Sequence, residues 1–260
     1  MNGALPTPLL EARHLQISLG GRLLCRNLNF SLYPGERLGI LGRNGAGKST
    51  LLSTLAGLKS KTSGDVLLGG TSYDFLQNSV AAKKRGFLPQ QQQDAFDSTV
   101  LETALVGRHP HLGRWQWESA KDTAFARQAL SSVGLDKMEA RQVHSLSGGE
   151  RQRLAVAMLL TQDPSLYLLD EPLTHLDLNH AIAVLEIFSR CATLGAGVVM
   201  VLHEPGLAAR YCDRVLLLYG DGTSDIGPCS GLLTAERLSL LYGHPLHALD
   251  DRGRPWFVPD

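Results

Sequence analysis

No apolar run in this chain of 260 residues approaches the ~18 residues needed to cross a bilayer. The longest, GVVMVL and RVLLLY, have the length of strands. The opening MNGALPTPLLEARHL lacks the charged-then-apolar pattern of a secretory signal, so the chain is expected to stay out of the membrane. Net charge is lacking too. Its 25 Lys and Arg balance 25 Asp and Glu, which speaks against a broad surface for nucleic acid or anionic lipid. The four cysteines, Cys25, Cys191, Cys212 and Cys229, form no C-x-x-C pair. Neither a zinc site nor a disulfide framework is indicated, and reduced thiols in a cytosolic protein are the plain expectation. Internal repeats and long linkers are absent, and the one low-complexity feature is the glutamine run at residues 90–93.

Apolar residues make up 43% of the chain and charged residues 19%, a balance that supports a packed core. Residues 9–32 alternate in short runs around GGR and read as an antiparallel hairpin. YPGERLGIL then gives a turn and a buried strand, followed by a glycine loop and the helical leucine spacing of STLLSTLAGL. SGDVLLGG reads as a further strand and turn. From Asp94 to about Leu160 helical periodicity dominates, which marks a helical insert. Strand character returns in SLYLLDEP, GVVMVLH and RVLLLYGDG, with the helix LNHAIAVLEIFSRCATLG between the first two. That rhythm predicts a mostly parallel, buried sheet. The tail reads as one helix and an irregular or strand-like end.

GRNGAGKST satisfies G-x-x-x-x-G-K-[ST] at every fixed position. Gly42, Asn44, Gly45, Ala46 and Gly47 form a loop whose backbone N–H groups point inward around an anion. Lys48 is placed for the terminal phosphates and Ser49, followed by Thr50, for Mg²⁺. A second anion cradle lies about 100 residues later in LSGGERQR, where Ser147, Gly148 and Gly149 open a helix N-terminus. SLYLLDEP ends in two carboxylates. Asp170 is a natural Mg²⁺ partner for Ser49, and Glu171 a candidate general base for an attacking water. His203, at the end of GVVMVLH, is a candidate contact to the terminal phosphate.

In this order GRNGAGKST, FLPQ, LSGGERQR, LYLLDEP, THLD and VLH resemble the Walker A, Q-loop, signature, Walker B, D-loop and H-loop of ABC-transporter ATPases. The resemblance spans nearly the whole chain. It implies a single α/β P-loop ATPase domain over residues 1–260 with a mostly parallel core sheet and an antiparallel β subdomain. A helical subdomain would occupy about 94–160 and a C-terminal extension about 231–260. It also implies ATP and Mg²⁺ as cofactors and a head-to-tail dimer. In that dimer Ser147, Gly148 and Gly149 of one copy close over ATP held by the other. By the same resemblance Glu171 is the catalytic glutamate, His203 the switch histidine and Asp177 the interface aspartate. Gln90 matches the glutamine that touches Mg²⁺ or the lytic water, and is preferred to Gln91, Gln92 or Gln93 because it follows the apolar GFL. One position departs from the family pattern. Leu19 stands where many members stack an aromatic on adenine.

Single-cassette length without membrane helices points to a separate ATPase subunit serving separate permease subunits. The stretch STVLETALVGRHPHLGRW and the tail are similar to ATPases importing ferric siderophores, haem and vitamin B12. The resemblance thus implies a peripheral protein at the cytoplasmic face of the plasma membrane, with a permease and, indirectly, a substrate-binding protein as partners and no nucleic acid. Arg108, His109 and Trp115 are expected to line a groove for a permease helix, a reading preferred to a metal site at His109 and His111. The alternative class is a soluble ABC ATPase acting on a protein or nucleic-acid assembly.

Overall fold

The computed structural model describes residues 7–90, 97–113, 115–251 and 254–260. Gln91, Gln92, Gln93 and Asp94 lie outside the described residues. The chain opens with strands β1 (Leu10–Leu19) and β2 (Arg22–Leu32), then β3 (Arg37–Leu41), helix α1 (Lys48–Leu55), β4 (Ser63–Leu68) and the short β5 (Thr71–Ser72). Helix α2 (Asn78–Lys84) leads into β6 (Arg85–Leu88), followed by α3 (Val100–Leu105), α4 (Ala120–Ser132) and α5 (Gly148–Gln162). Strand β7 (Leu166–Asp170), helix α6 (Leu178–Thr193), β8 (Gly197–Val201), α7 (Pro205–Tyr211), β9 (Arg214–Leu218) and β10 (Ser224–Pro228) alternate. The chain ends in α8 (Cys229–Leu232), α9 (Ala235–Tyr242) and the hairpin β11 (Leu246–Asp251) and β12 (Arg254–Pro259).

The central sheet has the order β10-β9-β3-β8-β7-β6. Its ladders are parallel except for the antiparallel β10–β9 edge. Both faces are covered, which is why these strands read as continuous apolar runs rather than alternating ones. Leu166 and Leu168 of β7, with Val199 and Val201 of β8, pack into a core shared with α1 and the antiparallel sheet β2-β1-β4-β5. Tyr167, Leu169, Val198 and Met200 turn to the opposite core beneath the later helices. Helix α6 buries Val184, Leu185, Ile187 and Phe188 there, a helical stripe that places the Phe188 ring edge-on to Tyr167, centroids 5.4 Å apart.

The sequence reading did not resolve α2, α7, α8, β5 or β10, all short. SDIGP looks like a turn, yet it forms β10. The strand sits at the sheet edge, where a proline's missing N–H interrupts no interior ladder. The tail forms a regular two-stranded antiparallel hairpin. Among the described residues no helix is long and apolar enough to cross a membrane.

Arg108 departs from the expected groove-lining role. Its Nε donates to Asp122 Oδ1 at 2.8 Å and its Nη1 to the Thr161 carbonyl at 3.1 Å. Its guanidinium carbon lies 4.9 Å from the Phe125 ring centroid, and its side chain is only 12% exposed. Arg108 therefore ties the 3₁₀ turn Val106–His111 to α4 and α5. His111 is likewise occupied, its Nε2 lying 2.8 Å from the Gln162 carbonyl. By contrast His109 and Trp115 do line a surface cavity, together with Trp117 and Glu118.

The Asp122 carboxyl is held well below the usual carboxylate range, first by the Ser119 hydroxyl and backbone N–H and then by Arg108. A carboxyl that titrates lower folded than unfolded stabilises the fold above its unfolded value and loses that contribution as pH falls below it. Arg108→Ala is expected to lower unfolding free energy by about 2–3 kcal/mol at neutral pH, because it leaves Asp122 without its cation. Part of the difference should vanish as pH falls through the carboxylate range in urea titrations. An unfolding midpoint equal to wild type would mean that Arg108 is not a structural tie.

Candidate functional site

The loop between β3 and α1 is built for close approach. A Cβ on Gly42 would sit 2.5 Å from the Leu218 carbonyl oxygen of β9, so only glycine lets the loop leave the sheet there. Gly47 caps α1 with φ 101°, a left-handed conformation that favours glycine. It rests on Leu24 of β2. Lys48 opens α1 and is buried. Its Nζ donates to the carbonyls of Gly42 at 2.9 Å and Arg43 at 3.2 Å. Burial pulls the Lys48 ammonium below its ordinary value, while Glu171 and Asp170 act to raise it.

At the tip of β7, Asp170 accepts a hydrogen bond from Ser49 Oγ at 3.0 Å. The aspartate is 4% exposed. Burial raises its pKa, and the Ser49 hydrogen bond works against that. A hydroxyl and a buried carboxylate converging beside the glycine loop form the hard-oxygen donor set that Mg²⁺ prefers. The residues present therefore fit the metal.

Glu171 follows with φ 50°, an uncommon backbone for a non-glycine residue. Its Oε2 accepts from Gln90 Nε2 at 2.9 Å. Its Oε1 lies 2.9 Å from His203 Nε2. One carboxylate thus joins three elements: Gln90 just beyond β6, Glu171 beyond β7 and His203 beyond β8.

The cleft beside the loop is lined by Leu19, Asn44, Gly45, Gly47, Lys48, Ser49, Thr50, Gln90 and Glu171, with Arg22 and Leu24 added by the structure. Ala46 is buried under the loop, and Leu19 is 57% exposed at the rim. Arg22 was not anticipated. Its guanidinium donates to the Gly220 carbonyl beyond β9 and, at 3.2 Å, to that of Gly45, pinning the loop from across the cleft. Its only sequence signal is a cation after the Gly20–Gly21 turn, because its partner lies 198 residues away.

Ser147, Gly148 and Gly149 do not line this cleft. Ser147 caps α5 in a reciprocal box. Its hydroxyl accepts from Glu150 N–H, and its own N–H donates to Glu150 Oε2 at 2.7 Å. Gly149 lies so close to the loop after Glu171 that a Cβ would come 2.9 Å from the His175 carbonyl. Gln152 Nε2 donates to the Pro172 carbonyl at 2.9 Å, bracing α5 on the same loop. Asp177 is also outside the cleft. It caps α6 by accepting from His180 N–H at 2.9 Å, and the hydrogen bonds from His180 lower its pKa.

The ABC transporter family model matches residues 25–174. A hemin import ATP-binding protein of Deinococcus radiodurans is 42% identical over 92% of this chain and 91% of that protein. A petrobactin import ATP-binding protein of Bacillus anthracis is 41% identical over 80% of this chain and 77% of that protein. Among solved structures, a chain of a metal-chelate type ABC transporter in an inward-facing conformation superposes with a TM-score of 0.84. It shares 30% identity and covers 97% of this chain and 98% of its own. Motif order, fold and these likenesses agree, and the chain belongs to the ABC transporter family as an ATP-binding subunit, an ATPase.

Proposed function

We propose that the chain powers uptake of a metal chelate, such as a ferric siderophore, haem or cobalamin, through separate permease subunits at the cytoplasmic face of the plasma membrane. The observation that carries its catalytic part is the Glu171 carboxylate held between Gln90 and His203 at the edge of the loop cleft. Lys48 and the loop N–H groups bind the terminal phosphates. Ser49 and Asp170, with Gln90, would hold Mg²⁺, which when bound would supply positive charge against the terminal phosphates. Glu171 accepts a proton from the attacking water. His203 fixes the Glu171 carboxylate and contacts the γ-phosphate. The cargo reading leans on the relatives named for hemin and petrobactin import and on the metal-chelate type structure.

The separation of Ser147, Gly148 and Gly149 from the cleft of their own chain supports a head-to-tail pair, in which they close over ATP on the other copy and Asp177 lies at the interface. The helix dipole of α5 favours the phosphate there. Trp115 and Trp117, 89% and 87% exposed beside His109, fit the permease surface, since aromatics concentrate at protein interfaces. A substrate-binding protein would act on the far side of that permease.

Glu171→Gln is expected to retain ATP binding, cut turnover by roughly 10²–10⁴ as for a lost general base, and hold an ATP-bound dimer visible by light scattering. Turnover at the wild-type rate would remove Glu171 from this role. With Leu19 rather than a ring at the cleft rim, hydrolysis constants for ATP and GTP should be comparable, and a strong ATP preference would argue against a loose base contact. Affinity capture of the tagged chain from detergent-solubilised host membranes should recover a polytopic permease. Recovery of soluble partners alone would favour the alternative, an ATPase acting on a protein or nucleic-acid assembly.

A further inference from the structure

The elements beyond β10 take no part in the chemistry above, yet they meet the site at three points. Tyr242, the last residue of α9, donates its hydroxyl hydrogen to the His203 carbonyl at 3.2 Å. Trp256 of β12 lies against Gly206 of α7, where a Cβ would come 2.7 Å from the indole ring. Gly243, whose left-handed conformation ends α9, faces the phosphate loop, where a Cβ would come 3.0 Å from Arg43 Nη1.

His203 lies between the end of β8 at Val201 and the start of α7 at Pro205. A backbone carbonyl outside regular structure relies on other donors, and here Tyr242 is one. Helix α9 is itself fixed, because Leu238 and Leu241 are buried in the same core as Leu169 and Met200. Burial pushes the Tyr242 hydroxyl up to about 12, so it stays protonated and able to donate across the neutral range. The segment His203–Gly206 is thus held at its two ends, at His203 by Tyr242 and at Gly206 by Trp256.

We infer that Tyr242 is a positioning residue for ATP hydrolysis: by holding the His203 carbonyl it sets the backbone from which the imidazole reaches Glu171. The inference rests on the role given to His203 above. Its weight is expected in kcat more than in nucleotide affinity, because His203 places its Nε2 on Glu171 and neither Tyr242 nor His203 is among the residues lining the cleft beside the phosphate loop.

The test is a double-mutant cycle on the full-length chain. Tyr242→Phe, His203→Ala and the pair are compared with wild type in steady-state and single-turnover ATP hydrolysis, with thermal midpoints recorded. Tyr242→Phe keeps the ring and deletes only the hydroxyl. It is expected to lower kcat by about three- to tenfold, the scale of one neutral hydrogen bond, with KM for ATP within about twofold of wild type. In the His203→Ala background the same change should cost nothing further. A full wild-type kcat in Tyr242→Phe overturns the inference. So does an equal fold-loss in both backgrounds, which is also what a merely destabilised fold would give. Wild-type kcat in His203→Ala alone would instead remove the role of His203, and the inference with it, a result separable from the other two by that single variant.

Discussion

Two adjacent carboxylates at the end of a buried strand are the constraint on which the rest depends. Strand β7 has all five of its residues buried, and an ionised side chain at such a place is costly unless cations or strong donors meet it. Asp170 receives the Ser49 hydroxyl, and the Lys48 ammonium lies within electrostatic reach of both acids. These partners come from the loop and first turn of α1, so the loop cannot be moved without exposing the cost of the buried charge. Gly42, which carries the loop past Leu218, and the Arg22 clamp that pins it from the hairpin serve the same geometry. Glu171 escapes the strand through a left-handed backbone and finds its own partners on the neighbouring strand ends.

The fold class was legible because a sheet covered on both faces writes itself as uninterrupted apolar strands, here YLL and VVMV, spaced by amphipathic helices. The phosphate loop was legible because its chemistry needs specific small residues at fixed spacing. Residues whose roles come from distant pairing were not. Arg22 reads as an ordinary hairpin cation until Gly220 is brought beside it. Tyr242 reads as the end of an amphipathic helix. Arg108 has the composition of an interface arginine, and only the fold places Asp122 and Phe125 around it. Short elements such as β10 escaped for a related reason: SDIGP carries turn chemistry, and its strand state is imposed by β9 rather than by its own propensity.

The residues of LSGGERQR alone marked an anion cradle without saying which phosphate it faces, and it was the family resemblance that implied a place apart from the cleft of the same chain. The structure adds what it leans on. Gly149 and Gln152 seat α5 on the residues that follow Glu171, so the start of α5 and the Glu171 carboxylate share one support.

Glu171 and the two side chains that meet it follow strands with different numbers of neighbours. Strands β7 and β8 are interior and carry ladders on both sides, whereas β6, which delivers Gln90, closes the sheet with β7 as its one neighbour among the described residues. An edge strand has one ladder fewer to hold it. Gln90 thus follows a strand laddered on one side, and Glu171 and His203 follow strands laddered on both. A displacement of β6 would bear first on one amide-to-carboxylate hydrogen bond, that from Gln90 to Glu171.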